Sequence, residues 1–133
     1  MIKQPRIFGK VIHELNSVVG KDRLVQESDL PNLKYIKACV KEAFRLHPVA
    51  PFNVSHVTTA DSSINGYFIP EGSHMTVHRL GLGRNQDVAL TYQKLHMFSF
   101  SMGQRRCPGA LLGSTMTTIF LASHTRIQMD VAI

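Results

Sequence analysis

The sequence predicts a mainly α-helical fold with a small antiparallel β-sheet set into it. Three observations predict this class. Apolar residues recur at helical spacing near the N-terminus, again over residues 33–44, and again after residue 110. Between the second and third runs the pattern changes to alternation around Asn65-Gly66, a strong sign of a tight hairpin turn. Finally, 133 residues suit one domain, residues 1–133, with a core of its own.

The first helix rests on Ile7, Val11, Ile12, Leu15, Val18 and Val19, with Gly20 as its stop. Residues 21–27 are polar and charged and read as a surface loop. A second helix covers residues 30–47. Ser28 or Asp29 can cap it, and Pro31 suits its first turn. Leu33, Ile36, Val40 and Phe44 form its buried stripe, and Pro48 ends it near His47 because the residue before a proline avoids helical geometry.

The sheet occupies residues 51–78. Phe52, Val54, Val57 and Thr59 suggest one strand, Tyr67-Phe68-Ile69 follow the turn, and residues 74–78 alternate as another. Gly81, Gly83 and Asn85 loosen the chain, and residues 85–97 carry no clean period. A loop punctuated by glycine and proline fills residues 98–109. The last helix is expected over residues 108–123, starting at Pro108 and burying Leu111, Leu112, Thr115, Met116, Ile119 and Phe120.

Composition excludes several classes. With 44% hydrophobic and 18% charged residues the chain is neither disordered nor fibrous. The formal charge is +6, yet the basic residues are scattered and no aromatics alternate with them, so nucleic-acid binding is not expected. Two cysteines, Cys39 and Cys107, are too few for a disulfide framework. No run is long and apolar enough to span a membrane, and the N-terminus lacks a signal-peptide core. Asn53-Val54-Ser55 matches a glycosylation sequon but reads as chance without a secretory signal. His74 and His78 could share a strand face, but no carboxylate or cysteine nearby completes a zinc set.

The chemistry concentrates in residues 98–109. Gly103 and Gly109 permit tight turns and close approach of a flat ligand. Phe100 supplies an apolar wall, and Pro108 starts a helix directly after Cys107. A cysteine at a helix N-terminus has its thiolate favoured by unpaired amides and the helix dipole. Arg105 adds positive charge and can reach an anionic group on a ligand. Such a thiolate could be a nucleophile, a redox sensor or a metal ligand.

Phe-x-x-Gly-x-Arg-x-Cys-x-Gly is satisfied at Phe100, Gly103, Arg105, Cys107 and Gly109. This pattern resembles the haem-binding signature of the cytochrome P-450 family. A second motif, Glu42-x-x-Arg45 followed by His47-Pro48, resembles that family's Glu-x-x-Arg helix and lies upstream of the cysteine loop in the expected order. Glu42 and Arg45 share one helix face and are expected to form a buried structural pair. The run from Arg45 to Asn53, with Ser55-His56-Val57, is most similar to the plant branch that N-hydroxylates amino acids to aldoximes.

The resemblance implies the C-terminal part of the cytochrome P-450 fold, with Cys107 ligating haem iron. Arg105 and His56 would meet propionates, Phe100 would pack near the thiolate, and Val49 to Asn53 would line the substrate pocket. It implies a monooxygenase that takes electrons from an NADPH-dependent reductase and oxidises a small molecule at the cytosolic face of the endoplasmic reticulum. Arg106 departs from the pattern, since that position usually carries a smaller or uncharged residue.

Other family features are not found. No membrane anchor is recognised, so a cytosolic placement is the expectation for this chain. The long oxygen-activating helix is also not found. Between Arg84 and Phe98 there is neither a proline nor an arginine, so the family's third network residue lacks a counterpart and an internal deletion is expected. The alternative is therefore a non-catalytic fragment or pseudogene-like product with at most residual haem binding. A basic interaction module without cofactor is a further option.

Overall fold

The computed structural model describes residues 4–85, 97–101 and 103–131. Its chain order is α1 (Pro5–Val18), a 3-10 segment (Glu27–Asn32), α2 (Lys34–Leu46), β1 (His56–Val57), β2 (Ser62–Ile64), β3 (Tyr67–Ile69), β4 (His74–Met75), α3 (Arg79–Arg84), α4 (Met97–Phe100) and α5 (Ala110–Val131). The mainly helical class with small antiparallel pairings is as the sequence predicts. The chain divides into one unit from residues 1–43 and 102–133 and another from residues 44–101.

The first unit holds the core. Val11, Leu15 and Val19, spaced four apart, put one face of α1 against Leu30, Leu33, Ile36 and Ala122. Gly20 follows at φ +81°, the left-handed conformation that ends a helix and that glycine adopts without strain. Residues 21–27 are less superficial than expected. Val25 is buried, and Arg23 makes a two-pronged salt bridge to Asp29 with both contacts at 2.7 Å.

The single helix expected over residues 30–47 is two pieces. Glu27–Asn32 winds as 3-10, with Gln26 as its cap and Asp29 Oδ2 accepting from the Gln26 amide at 2.9 Å. Neither Ser28 nor Asp29 caps α2. Leu33 stands at that cap position, its carbonyl accepting from the Lys37 amide at 3.2 Å. Leucine has no oxygen to offer the first amides, and Glu14 of α1 supplies it instead. Its two carboxylate oxygens accept from the Tyr35 and Ile36 amides at 2.7 and 2.9 Å. The expected stripe holds for Leu33, Ile36 and Val40, which are buried, while Phe44 is half-buried.

α5 corrects the sequence reading twice. It starts at Ala110, two residues after Pro108, and runs on to Val131. Its buried side is also not the expected one. Leu111, Leu112, Met116 and Phe120 are exposed, Thr115 and Ile119 half-buried, and Thr118, Ala122, Thr125 and Arg126 buried.

In the second unit the expected single sheet is two two-stranded pairs. β1 pairs with β4 (His56 opposite Met75, Val57 opposite His74), and β2 pairs with β3. The β2–β3 connection is the two-residue turn at Asn65-Gly66, with φ +51° and +84°. An isolated bridge joins Phe52 to His78, and their rings stack at 5.0 Å. Asn53 is tied into the same ladder, its amide donating to the Val77 carbonyl at 3.1 Å. Where glycines were expected to loosen the chain, Arg79–Arg84 forms α3. Arg45 donates to the Gly83 carbonyl and Arg84 to the Leu46 carbonyl, so the end of α2 and this short helix hold each other. The expectation of an irregular stretch falls mostly on residues 86–96, outside the described residues.

Candidate functional site

Cys107 lies in a chain of tight turns that leads into α5. Gly103 takes φ +79°, and its carbonyl accepts from the Arg106 amide at 3.2 Å. The Cys107 carbonyl then accepts from the Ala110 amide at 3.3 Å, and the first full helical bond follows from Gly113 to Gly109 at 2.8 Å. The cysteine thus sits just outside the first turn of a 22-residue helix. Its amide-rich end favours negative charge on a nearby side chain.

The thiol is open. Residues 103–108 are all exposed, Cys107 among them. A Cβ added at Gly109 would meet Cys107 Sγ at 3.8 Å, so the sulfur lies against the bare glycine backbone. An uncovered soft donor, bare glycine backbone beside it at Gly109 and the cation of Arg105 two residues before suit a thiolate ligand to haem iron. The residues present therefore fit the group implied by the signature. Among the described residues no three histidine, cysteine or acidic side chains gather as a metal-ligating set.

The other predicted residues are spread over both units. Phe100, in α4, meets Phe44 edge-on with ring centroids 5.4 Å apart. His56 is exposed on β1, opposite Met75. Glu42 and Arg45 lie on α2 as expected, but Glu42 is exposed and Arg45 half-buried, where burial of both was expected. The sequence reading did not find Glu14, whose carboxylate starts the helix that carries this pair, nor Gly83 and Arg84, which tie down its end. Glu14 acts 21 residues away in the chain, and nothing in a local pattern marks it.

Cys39, the second thiol, is half-buried among the residues packed on the core. Burial first, and the Glu14 carboxylate second, push its thiol up from the ordinary value. It is the less exposed of the two cysteines.

Comparison with known proteins gives the chain's relatives. A family model described as cytochrome P450 matches residues 1–88. The phenylalanine N-monooxygenase of Arabidopsis thaliana is 50% identical over 141 residues, which take up 92% of this chain and 27% of that protein. The valine N-monooxygenase 1 of Manihot esculenta is 51% identical over 140 residues, again 92% of this chain. A zebra fish cytochrome P450 structure solved with abiraterone superposes with a TM-score of 0.76 at 26% identity, covering 93% of this chain and 32% of that one. The chain spans about a quarter of the length of these curated relatives. Coverage of 92% omits about 11 of the 133 residues, so the matched stretch includes the loop around Cys107. It also amounts to about 122 residues, so about 19 of the 141 aligned positions have no residue in this chain.

Proposed function

Since the chain belongs to the cytochrome P450 family, we propose that it is the haem-ligating part of a haem-thiolate monooxygenase that hydroxylates an amino acid on nitrogen. The observation that carries this reading is Cys107. Its exposed thiol heads a 22-residue helix inside a loop that satisfies the signature at all five fixed positions. Amino-acid N-monooxygenases at 45–51% identity favour nitrogen of an amino acid as the oxidised atom.

Cys107 Sγ would hold the iron, and thiolate ligation, for which this family is the standard case, favours cleavage of the O–O bond. The chain's own residues prepare that ligand. Cys107 stands just before the first turn of α5, Gly103 turns the loop ahead of it at φ +79°, and Gly109 leaves bare backbone beside the sulfur. Arg105 offers a charge-assisted hydrogen bond to a carboxylate. In the second unit, His56 presents an exposed imidazole able to do the same, and Phe100 is held by its contact with Phe44. Electrons from an NADPH-dependent reductase and residence at the endoplasmic reticulum complete the reading on family grounds.

One observation favours a second reading. About 19 aligned positions are missing from the chain, and the family-model match ends at residue 88. We place the gap after that residue, where the expected proline- and arginine-containing segment is also not found. A chain shortened there would bind haem weakly and turn nothing over.

The test is reconstitution of the whole chain with haem. Reduction under carbon monoxide should give the thiolate-ligated Soret band from which the family takes its name. Cys39→Ala should keep the band and Cys107→Ala should lose it; identical spectra for the two would sink the assignment. Adding reductase, NADPH and a panel of amino acids separates the readings. Aldoximes above the Cys107→Ala control support the enzyme, whereas the band without product supports the shortened, non-catalytic form.

A further inference from the structure

The turn between β2 and β3 differs from every other asparagine position in the chain. Of Asn16, Asn32, Asn53, Asn65 and Asn85, Asn65 alone precedes a glycine. Asn65 and Gly66 are both exposed, and a Cβ added at Gly66 would meet nothing within 4 Å. The ladder pairs Ile64 with Tyr67, so both turn residues stand outside it. Among the described residues nothing hydrogen-bonds the Asn65 side chain. Asn53, by contrast, is tied to Val77 through both its amide and its side chain. Asn16 lies inside α1, and Asn32 ends the 3-10 segment.

The hairpin behind this tip is thin. β2 exposes all three of its residues and β3 two of its three. Two strands so little covered are marginal in water and open locally at small cost. The base of the hairpin is fastened. The Glu71 amide donates to Asp61 Oδ1 at 2.8 Å, and the Thr58 hydroxyl to the Pro70 carbonyl at 2.7 Å. Opening is therefore directed to the tip, where Asn65 stands.

We propose that Asn65 is a site of spontaneous deamidation, with water as the only co-reactant. The Gly66 backbone nitrogen gives up its proton to solvent base and attacks Asn65 Cγ. A new N–C bond forms, the bond from Cγ to the side-chain nitrogen breaks, and that nitrogen leaves as ammonia. Water then opens the cyclic imide at either carbonyl and leaves aspartate or isoaspartate at position 65. Nothing is oxidised or reduced. Glycine permits the attack because it brings no Cβ against the closing ring. The attack needs the turn to flex, which a marginal hairpin allows. The two products differ in consequence. An Asp-Gly pair suits the same two-residue turn. Isoaspartate adds a main-chain carbon to that turn and breaks its register. Either product lowers the formal charge of +6 by one.

The test ages the whole chain in one buffer, native and in urea, and reads the peptide spanning β2 and β3 by mass spectrometry. It needs no haem, so it stands apart from the haem reading. The native peptide should gain one mass unit, and fragmentation should place the gain at position 65 and not at 53. Methylation by an isoaspartate-specific methyltransferase should label part of the product. The native rate should lie within about tenfold of the rate in urea, because opening the tip costs little. It should rise in mildly alkaline buffer, as deprotonation of the Gly66 nitrogen requires. Gly66→Ala should slow the gain at least about tenfold through its Cβ, and Asn65→Gln should abolish it. Absence of the gain in the native chain overturns the proposal, including the case where the chain in urea deamidates and the hairpin thus protects Asn65. So does a gain of the same speed in Gly66→Ala, or one that persists in Asn65→Gln.

Discussion

Replacing Glu14 should destabilise the protein although Glu14 belongs to neither motif. The carboxylate accepts from the Tyr35 and Ile36 amides at 2.7 and 2.9 Å, the second and third amides of α2. Those are the amides a serine or aspartate cap would take, and Leu33 at that position cannot take them. Hydrogen bonds to a charged group are worth ~1.5–3 kcal/mol each when buried. Glu14 is only half-buried, and losing an ordinary cap costs ~0.5–2 kcal/mol, so about 2 kcal/mol is expected for Glu14→Ala. At this chain length that corresponds to a fall in Tm of roughly 6–10 °C. Glu14→Gln keeps one acceptor oxygen and should lose about half as much. Urea unfolding followed by circular dichroism gives both values. A loss below ~0.5 kcal/mol for Glu14→Ala would refute the reasoning, because that is the range of a surface substitution with no structural role.

Three further outcomes follow from the geometry. Arg23 hydrogen-bonds Asp29 and, with the Gln26 amide, lowers its carboxyl from 3.8 to about 2. A depressed carboxyl stabilises the fold above its unfolded value, so this contribution should be complete above pH 4 and vanish as pH falls from about 4 to about 2. The thermal midpoint of Asp29→Asn, compared with wild type across that window, should lack this component. Arg45→Ala should cost about 1–2 kcal/mol, because it frees the buried Gly83 carbonyl, while Glu42→Ala, at an exposed site, should cost less than ~1 kcal/mol. Equal losses in urea unfolding would contradict that ordering. Finally, a thiol reagent at neutral pH should label exposed Cys107 first and half-buried Cys39 at least about tenfold more slowly, read by mass spectrometry of the labelled peptides. Faster labelling of Cys39 would show that the burial of the two thiols is wrongly assigned.

What the sequence made legible is local. Val11, Leu15, Val19 and the stop at Gly20 were readable because period and terminator lie within one helix. Asn65-Gly66 was readable because both residues of that turn need positive φ. The cysteine signature was readable for the same reason: five fixed positions within ten residues define the loop. The second helix was misread because its true cap comes from α1, while Ser28, Asp29 and Pro31, which look like a helix start, wind a separate 3-10 turn. α3 was missed because Gly81 and Gly83 disfavour a helix by themselves, and the bonds that hold it, Arg84 to the Leu46 carbonyl and Arg45 to the Gly83 carbonyl, each join residues 38 apart in the chain.

The face of α5 is the most instructive error, because the rule that failed there is sound. Apolar residues are buried when a fold is whole, and the sequence assigned Leu111, Leu112, Met116 and Phe120 to the inside on that basis. In this chain the inside of α5 is taken by Thr118, Ala122, Thr125 and Arg126, with both threonine hydroxyls bonded back to the helix, and α1 and the 3-10 segment pack against it. A sequence shaped to pack on both sides of a helix reads as buried all round, whereas the structure of one part reveals only the contacts that part contains. The mismatch is therefore information about what is not in the chain's own core. It places the apolar demand on the face of α5 turned away from that core.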